Sequence, residues 1–355
     1  MPRPALLLAL LAFALPAGVA QAATKGVSLG VPAASAKKFN GLGADVNAFF
    51  PSRITIHRGD KVRFLPVGFH DVDLPASGAS AAGLISEGTA IAGATDAAGA
   101  PYWFNGMPDL QYTASLMTRS WGKTVSYDGS REMRSGLQPL GQNVKALTVR
   151  FPKSGTFAYF CNVHPGMKGQ VRVVSPRSKV PSKKADAASV KKQVNAAVKT
   201  AKSLQNAGVS ETTIQMGNSG PGGVEIFAFY PGERKVSVGT TLTFETSRLS
   251  LDQHTITTGP GDPLREPDSF RGKLAGSLAG APSIDQAAIY PSDARGVVVS
   301  LNPNVHGNGF WGSGFMDSAG STPFPKRTQV KIVAPGAYAF YCLIHPFMKT
   351  VVTAV

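Results

Sequence analysis

The chain has 355 residues, with 36 Lys and Arg against 21 Asp and Glu, and a formal net charge of +15. At roughly 150 residues per domain this length implies two domains, and the 43% hydrophobic content excludes wholesale disorder. Two Cys cannot staple a chain of this size, so a disulfide scaffold is excluded, while 39 Gly and 26 Pro favour a turn-rich β architecture over helical bundles.

Residues 1–22 read as a secretory signal: Arg3 supplies positive charge, Leu6 to Leu15 form a short apolar core, and Ala20-Gln21-Ala22 offers a small-residue cleavage site before Ala23. The apolar run is shorter than the ~20 residues a membrane span needs, and no second long run follows. The expected product is an exported protein, periplasmic or extracellular, with no transmembrane segment. Unpaired thiols are unusual in such an oxidising compartment, so the two Cys either pair or are held by something else.

The first domain is expected over 23–175. Arg53 to Arg58 alternates polar and apolar, Gly59-Asp60 turns, and Lys61 to Phe64 continues as a second strand. Ala146 to Phe151 is again strand-like, followed by a turn at Gly155 and an aromatic strand ending at Cys161. Between His70 and Cys161 the Ala- and Gly-rich stretch Ala76–Ala100 reads as a surface excursion. A basic linker occupies 176–208: Pro176 to Lys184 is rich in Pro, Ser and Lys. Ala185 to Asn206 then places Val190, Val194, Ala197, Val198, Ala201 and Leu204 at helical spacing, with Gly208 as the stop. Eight Lys and Arg here oppose Asp186 alone. The plain reading is a solvated helix docked on a β domain, and the sharper one a basic surface for an acidic partner or an anionic envelope. Nucleic-acid binding has little support, because no aromatic residues interleave with the bases. The second domain, 209–355, repeats the strand pattern from Arg234 to Phe244 around Gly239 and from Thr328 to Val333. It also has its own excursion at Gly272–Gly280.

The repeat is explicit. Cys161-Asn162-Val163-His164-Pro165-Gly166-Met167-Lys168 matches Cys342-Leu343-Ile344-His345-Pro346-Phe347-Met348-Lys349 at an offset of 181. Phe50-Pro51, Gly59 and Phe64 match Tyr230-Pro231, Gly239 and Phe244 at 180, and His70 corresponds to His254 at 184. Each copy therefore offers one early His and then Cys-x-x-His-x-x-Met at the end of a strand. Two imidazoles, a thiolate and a weak thioether are the donor set of a type 1 copper site. Such ligation also accounts for two unpaired Cys outside the cytoplasm. Structural zinc sites usually lack Met, and a Cys161–Cys342 disulfide would make both loops accidental.

Both copies resemble cupredoxins, and the Cys-x-x-His-x-x-Met spacing is similar to the short ligand loop of amicyanin. The resemblance covers the early strands and the last ~30 residues of each repeat. It implies an all-β chain of two tandem Greek-key β-sandwiches joined by the basic linker and its helix. It also implies two copper sites: His70, Cys161, His164 and Met167, then His254, Cys342, His345 and Met348. Many cupredoxins carry Asn after the early His, hydrogen-bonding the Cys loop; here Asp71 and Thr255 stand there, and Asp71 would lower the potential of its copper. Tyr341 matches a surface Tyr at which plastocyanins dock partners. The exposed edges of His164 and His345, beside Pro165 and Pro346, are the implied electron ports for transient redox partners.

Duplicated cupredoxin domains also build nitrite reductases and multicopper oxidases, which need further His. Of the six His, only His57, near a strand end, and His306, an unpaired loop His, remain unassigned. That scarcity speaks against an enzyme. The expected function is one-electron transfer, with copper storage or delivery as the alternative.

Overall fold

The computed structural model describes residues 22–139, 144–279, 283–318, 320 and 322–355. The expected signal segment, apart from Ala22, lies outside the described residues. The chain is all-β, with one long helix at Lys183–Ser203 and a few short ones.

The alternating segments form strands. Arg53–His57 and Lys61–Pro66 turn alternate side chains inward and are joined over Gly59, whose φ of +95° glycine adopts freely. Glu233–Val236 and Thr241–Thr246 repeat this around Gly239, at φ +93°. Each of these turns carries the chain from one sheet to the facing one, so the connections interleave in Greek-key fashion instead of running as hairpins.

In the N-terminal half, one sheet runs in the order Phe49–Phe50, Thr24–Leu29, Lys61–Pro66, Leu147–Arg150, Thr124–Ser126. The facing sheet runs Met133–Arg134, Asp73–Leu74, Gly155–Phe160, Lys168–Val174, Arg53–His57. Phe49, Ile56, Phe64, Val149 and Tyr159 fill the space between them. The C-terminal half has a sheet of Val299–Leu301, Arg327–Ile332, Thr241–Thr246, Thr213–Gly220, Val224–Tyr230 and Ala44–Val46. It faces Glu233–Val236, Lys349–Ala354, Gly336–Tyr341, Thr257–Thr258 and Trp311–Gly312. Phe244, Trp311, Phe340 and Val330 pack between these two.

The strand Ala44–Val46 belongs by sequence to the N-terminal half, yet it completes the C-terminal sheet. It pairs antiparallel with Val224–Tyr230, with Asp45 opposite Glu225. The helix Lys183–Ser203 lies over this junction: Val194, Ala197 and Ala201 are buried with Phe39, Val46, Phe50 and Val224, while its Lys side chains face outward. Ser182 caps it, accepting from the Ala185 amide at 3.2 Å. Gln193 holds it to the Phe49 carbonyl at 2.7 Å, and the Asn218 amide donates to Leu204 O at 2.8 Å. The docked-helix reading thus describes the linker. The helix ends at Ser203, ahead of the expected stop at Gly208.

The two excursions are not surface decoration. The hairpin Ile85–Ala90/Pro108–Tyr112 packs against the helices Phe270–Leu278 and Gln286–Ile289, burying Tyr102, Phe104, Leu274, Ile289 and Tyr290 in a core of their own. Gln111 and Gln286 seal it reciprocally: Ile284 N donates to Gln111 Oε1 at 2.7 Å and Leu110 N to Gln286 Oε1 at 2.9 Å. Composition hid this, because Ala and Gly dominate the segments while a few spaced aromatics bury the area.

Candidate metal centres

The strand Gly336–Tyr341 delivers Cys342 to the end of its sheet, and the chain returns as Lys349–Ala354. Two backbone bonds close the loop between: Cys342 N donates to Met348 O at 3.2 Å, and Met348 N to His345 O at 2.8 Å. The loop after Gly155–Phe160 is closed in the same way, by Cys161 N to Met167 O at 3.1 Å and Met167 N to His164 O at 2.9 Å. The Cys-x-x-His-x-x-Met spacing is therefore a tight turn that draws three donor side chains together. Met167 and Met348 are buried beside their Cys.

In the C-terminal half, His254 is held across the sheet by paired bonds with Met316 at 2.9 and 2.8 Å. His254, Cys342 and His345 each place one ligand atom within 4.8 Å of the others. Cys342 Sγ is 3.7 Å from His345 Nδ1 and accepts the Thr255 and His345 amides, each at 3.4 Å. His254 gives Nε2 to Glu225 Oε1 at 2.9 Å, leaving Nδ1 buried with no hydrogen-bond partner. Burial pushes the Cys342 thiol up, but His254 and His345 outweigh it and hold the thiol well below its ordinary range. Burial likewise opposes charge on His254, and Cys342 and Glu225 lift it to about 10. The surroundings of Cys342 thus favour its thiolate, the form that ligates a soft cation. Thr255 plays the supporting part expected of it, its Oγ1 accepting the Leu343 amide at 2.7 Å.

The N-terminal centre is assembled less completely. Cys161 Sγ lies 3.5 Å from His164 Nδ1, and the His70 and His164 rings are 4.7 Å apart between centroids. His70 turns Nδ1 to Val67 O at 2.7 Å, with Nε2 3.2 Å from Asn47 Oδ1. Gly30 and Gly68, at φ +95° and +68°, back this ring so closely that a Cβ on either would lie within 3.2 Å of it. A copper ligand on Nδ1 requires His70 to leave Val67. Asp71 takes the place of Thr255, its Oδ1 accepting the Asn162 amide at 2.7 Å. Burial raises the Asp71 carboxyl to about 6 and, with the charge of Asp71, pushes the Cys161 thiol up. Burial and the neighbouring His164 press His70 down to about 3. The surroundings here favour the thiol of Cys161 and the neutral form of His70, the opposite bias to the C-terminal centre. Among the described residues only the C-terminal trio gathers its ligand atoms, and its two imidazoles and thiol, with the Met348 thioether, fit a metal of copper's softness.

Three expectations need correction. His164 is 6% exposed, and its Nε2 edge faces Asp252 Oδ1 at 3.1 Å; His345 turns its Nε2 to the same oxygen at 3.9 Å. The two edges thus face each other across the halves and open into a cleft of about 860 Å³ instead of an outer surface. Tyr341 is buried under Arg271, 4.6 Å from its ring, and donates to Asp262 Oδ2 at 2.9 Å, so it forms no surface patch. His306 is paired twice, with Asp96 and Asp293, both at 3.1 Å. His57 is half-buried at its strand end, with Nε2 2.9 Å from Ser178 O.

Sequence reasoning missed Glu225, Asp252 and Asn47. Each is a buried polar group; the repeat gives no sign of Asp252 and Asn47, whose matching positions are Gly68 and Phe227, while Glu225 is matched by another acid, Asp45.

No protein-family model and no curated protein matches the chain. Among solved structures it is similar to a mutant fern plastocyanin (19% identity, 40% of this chain and 99% of that one, TM-score 0.21). It is also similar to the purple cupredoxin from Nitrosopumilus maritimus (17%, 41% and 99%, TM-score 0.20) and to auracyanin from Roseiflexus castenholzii (18%, 36% and 87%, TM-score 0.22). Among the described residues, no helix is long and apolar enough to cross a membrane.

Proposed function

We propose that this is an exported electron-transfer protein of two cupredoxin domains, each holding one type 1 copper through the ligands named above. The carrying observation is His254 Nδ1, buried without a partner beside Cys342 and His345 while Glu225 occupies the other nitrogen. A buried polar atom is costly unless something engages it, and soft-metal ligation is a chemistry in which all three donors of this trio take part together. Copper supplies one-electron exchange between Cu(I) and Cu(II). The chain's part is to hold the ligands fixed, so that little reorganises when charge changes: two backbone bonds clamp each ligand loop, and Thr255 and Asp71 pin the residue after each Cys. Phe69 and Phe347, 37% and 59% exposed, rim the cleft onto which the ligand imidazoles open, an apolar mouth suited to brief docking of a redox partner.

No substrate transformation is proposed. Four of the six His serve the two centres, His306 is spent between two carboxylates, and His57 is engaged with Ser178 O at its strand end. One observation favours a second reading, copper storage or delivery: His70 rests on Val67, so the N-terminal centre must rearrange to load. Copper counting with visible and paramagnetic spectra on the parent, Cys161→Ser and Cys342→Ser decides. Two intense thiolate-to-copper centres, each lost with its own Cys, support electron transfer. A colourless Cu(I) protein that yields copper to a chelator supports handling, and two blue coppers surviving either substitution refute that site.

A further inference from the structure

Asp252 lies outside both ligand motifs, yet the supports of all four ligand imidazoles lead to it. Its side chain is buried between the halves. Oδ1 is 3.1 Å from His164 Nε2 and 3.9 Å from His345 Nε2, while Oδ2 accepts from Asn47 Nδ2 at 2.5 Å. Asn47 Oδ1 in turn lies 3.2 Å from His70 Nε2. The Asp252 amide donates to Ser250 Oγ at 3.2 Å, and that hydroxyl donates to Glu225, the partner of His254.

An imidazole that gives Nδ1 to a metal keeps its proton on Nε2, and the acceptor found there fixes the tautomer and the ring. For His164 that acceptor is Asp252 Oδ1 at 3.1 Å, and His345 Nε2 faces the same oxygen from 3.9 Å, an ion-pair distance longer than a hydrogen bond. Hydrogen bonds to an ionised carboxylate in a dry interior are short and rigid, and here the oxygen that holds one ligand ring also lies against the other.

Resting on the two-copper reading, we propose that Asp252 joins the centres into one electron-exchanging pair, its carboxylate holding the His164 imidazole directly, facing His345 across an ion-pair contact, and bridging the gap between the two loops. The exchange balances within the chain: one centre goes from Cu(I) to Cu(II) as the other goes from Cu(II) to Cu(I). No bond forms or breaks, the proton stays on each Nε2, and no co-reactant is consumed. Asp252 is a positioning residue here, since it touches neither metal.

The test uses the full chain loaded with two coppers, in a Met167→Gln background whose altered axial ligand separates one centre's spectrum and potential from the other's. A substoichiometric pulse of reductant creates half-reduced chains, and the concentration-independent drift to equilibrium is followed by visible and paramagnetic spectra. Asp252→Ala is expected to slow that drift by about tenfold to a hundredfold, the range for outer partners of metal-bound His. Asp252→Asn, which keeps an acceptor oxygen, restores most of the rate. An unchanged rate in Asp252→Ala overturns the path. Copper affinity gives a second readout: Asp252→Ala weakens uptake in both Cys161→Ser and Cys342→Ser chains, and a loss confined to one of them overturns the shared role. A chain that takes up only one copper with Asp252 intact refutes the two-copper reading itself, a separate outcome.

Discussion

Replacing Glu225 by Ala tests the C-terminal centre most directly. Glu225 and His254 are both buried, and the carboxylate accepts from His254 Nε2 at 2.9 Å and from Ser250 Oγ at 2.7 Å. Ala at 225 leaves the imidazole with no partner at either nitrogen, because Nδ1 already has none. A buried donor stripped of its acceptor costs about 1–3 kcal/mol. The metal-binding tautomer, with its proton on Nε2, is the form that loses its support, so the cost falls on copper binding. It corresponds to about tenfold to hundredfold in affinity, the range observed for outer-shell partners. The assay is competition for Cu(I) against a chromophoric chelator, in a Cys161→Ser chain where only the C-terminal centre binds. Glu225→Gln keeps an acceptor oxygen and should recover most of the affinity. Affinity of the Ala variant equal to that of its parent refutes the reasoning.

The N-terminal centre carries a charge that its counterpart lacks. Asp71→Asn should raise its reduction potential above pH 7, where a carboxyl lifted to about 6 by burial is ionised, and should change it less at pH 5; potentiometry showing an unchanged or lowered potential sinks this. His306 sets a stability dependence on pH. Hydrogen bonds that its ring donates to Asp293, then to Asp96, raise it above its ordinary 6.5 against the effect of burial, so its contribution is full below pH 6.5 and fades as pH rises through the folded value. Melting temperatures of the parent and His306→Gln should therefore converge with rising pH, and a constant gap excludes the clamp.

The ligand motifs were legible because metal chemistry restricts residue type and spacing together: Cys-x-x-His-x-x-Met states both the donors and the turn that gathers them. The strands were legible for a similar reason, since Arg53–His57 and Lys61–Pro66 carry a period of two that only a half-buried strand satisfies. The supports of the centres were not. Asp252 and Asn47 act across the junction of the halves and Glu225 reaches His254 from another strand, long-range arrangements that no local pattern encodes, and single acids are common. The aromatic core under the excursions escaped for another reason. Tyr102, Phe104 and Tyr290 are spread thinly through small residues, and their partners lie far along the chain. The tilt of His70 onto Val67 depends on one torsion, which sequence does not fix.

The shared strand has a consequence for ancestry and for truncation. Asp45 and Glu225, which face each other in the ladder, are 180 residues apart, the offset that also relates Phe50-Pro51 to Tyr230-Pro231. Val46 meets Val224 and Ala44 meets Ile226, so each copy offers the other its own equivalent segment. Pairing of equivalent segments in this antiparallel way has the self-complementary form of a two-fold homodimer contact. A half severed at the linker would bare that edge, and the surface best shaped to cover it is another copy of itself.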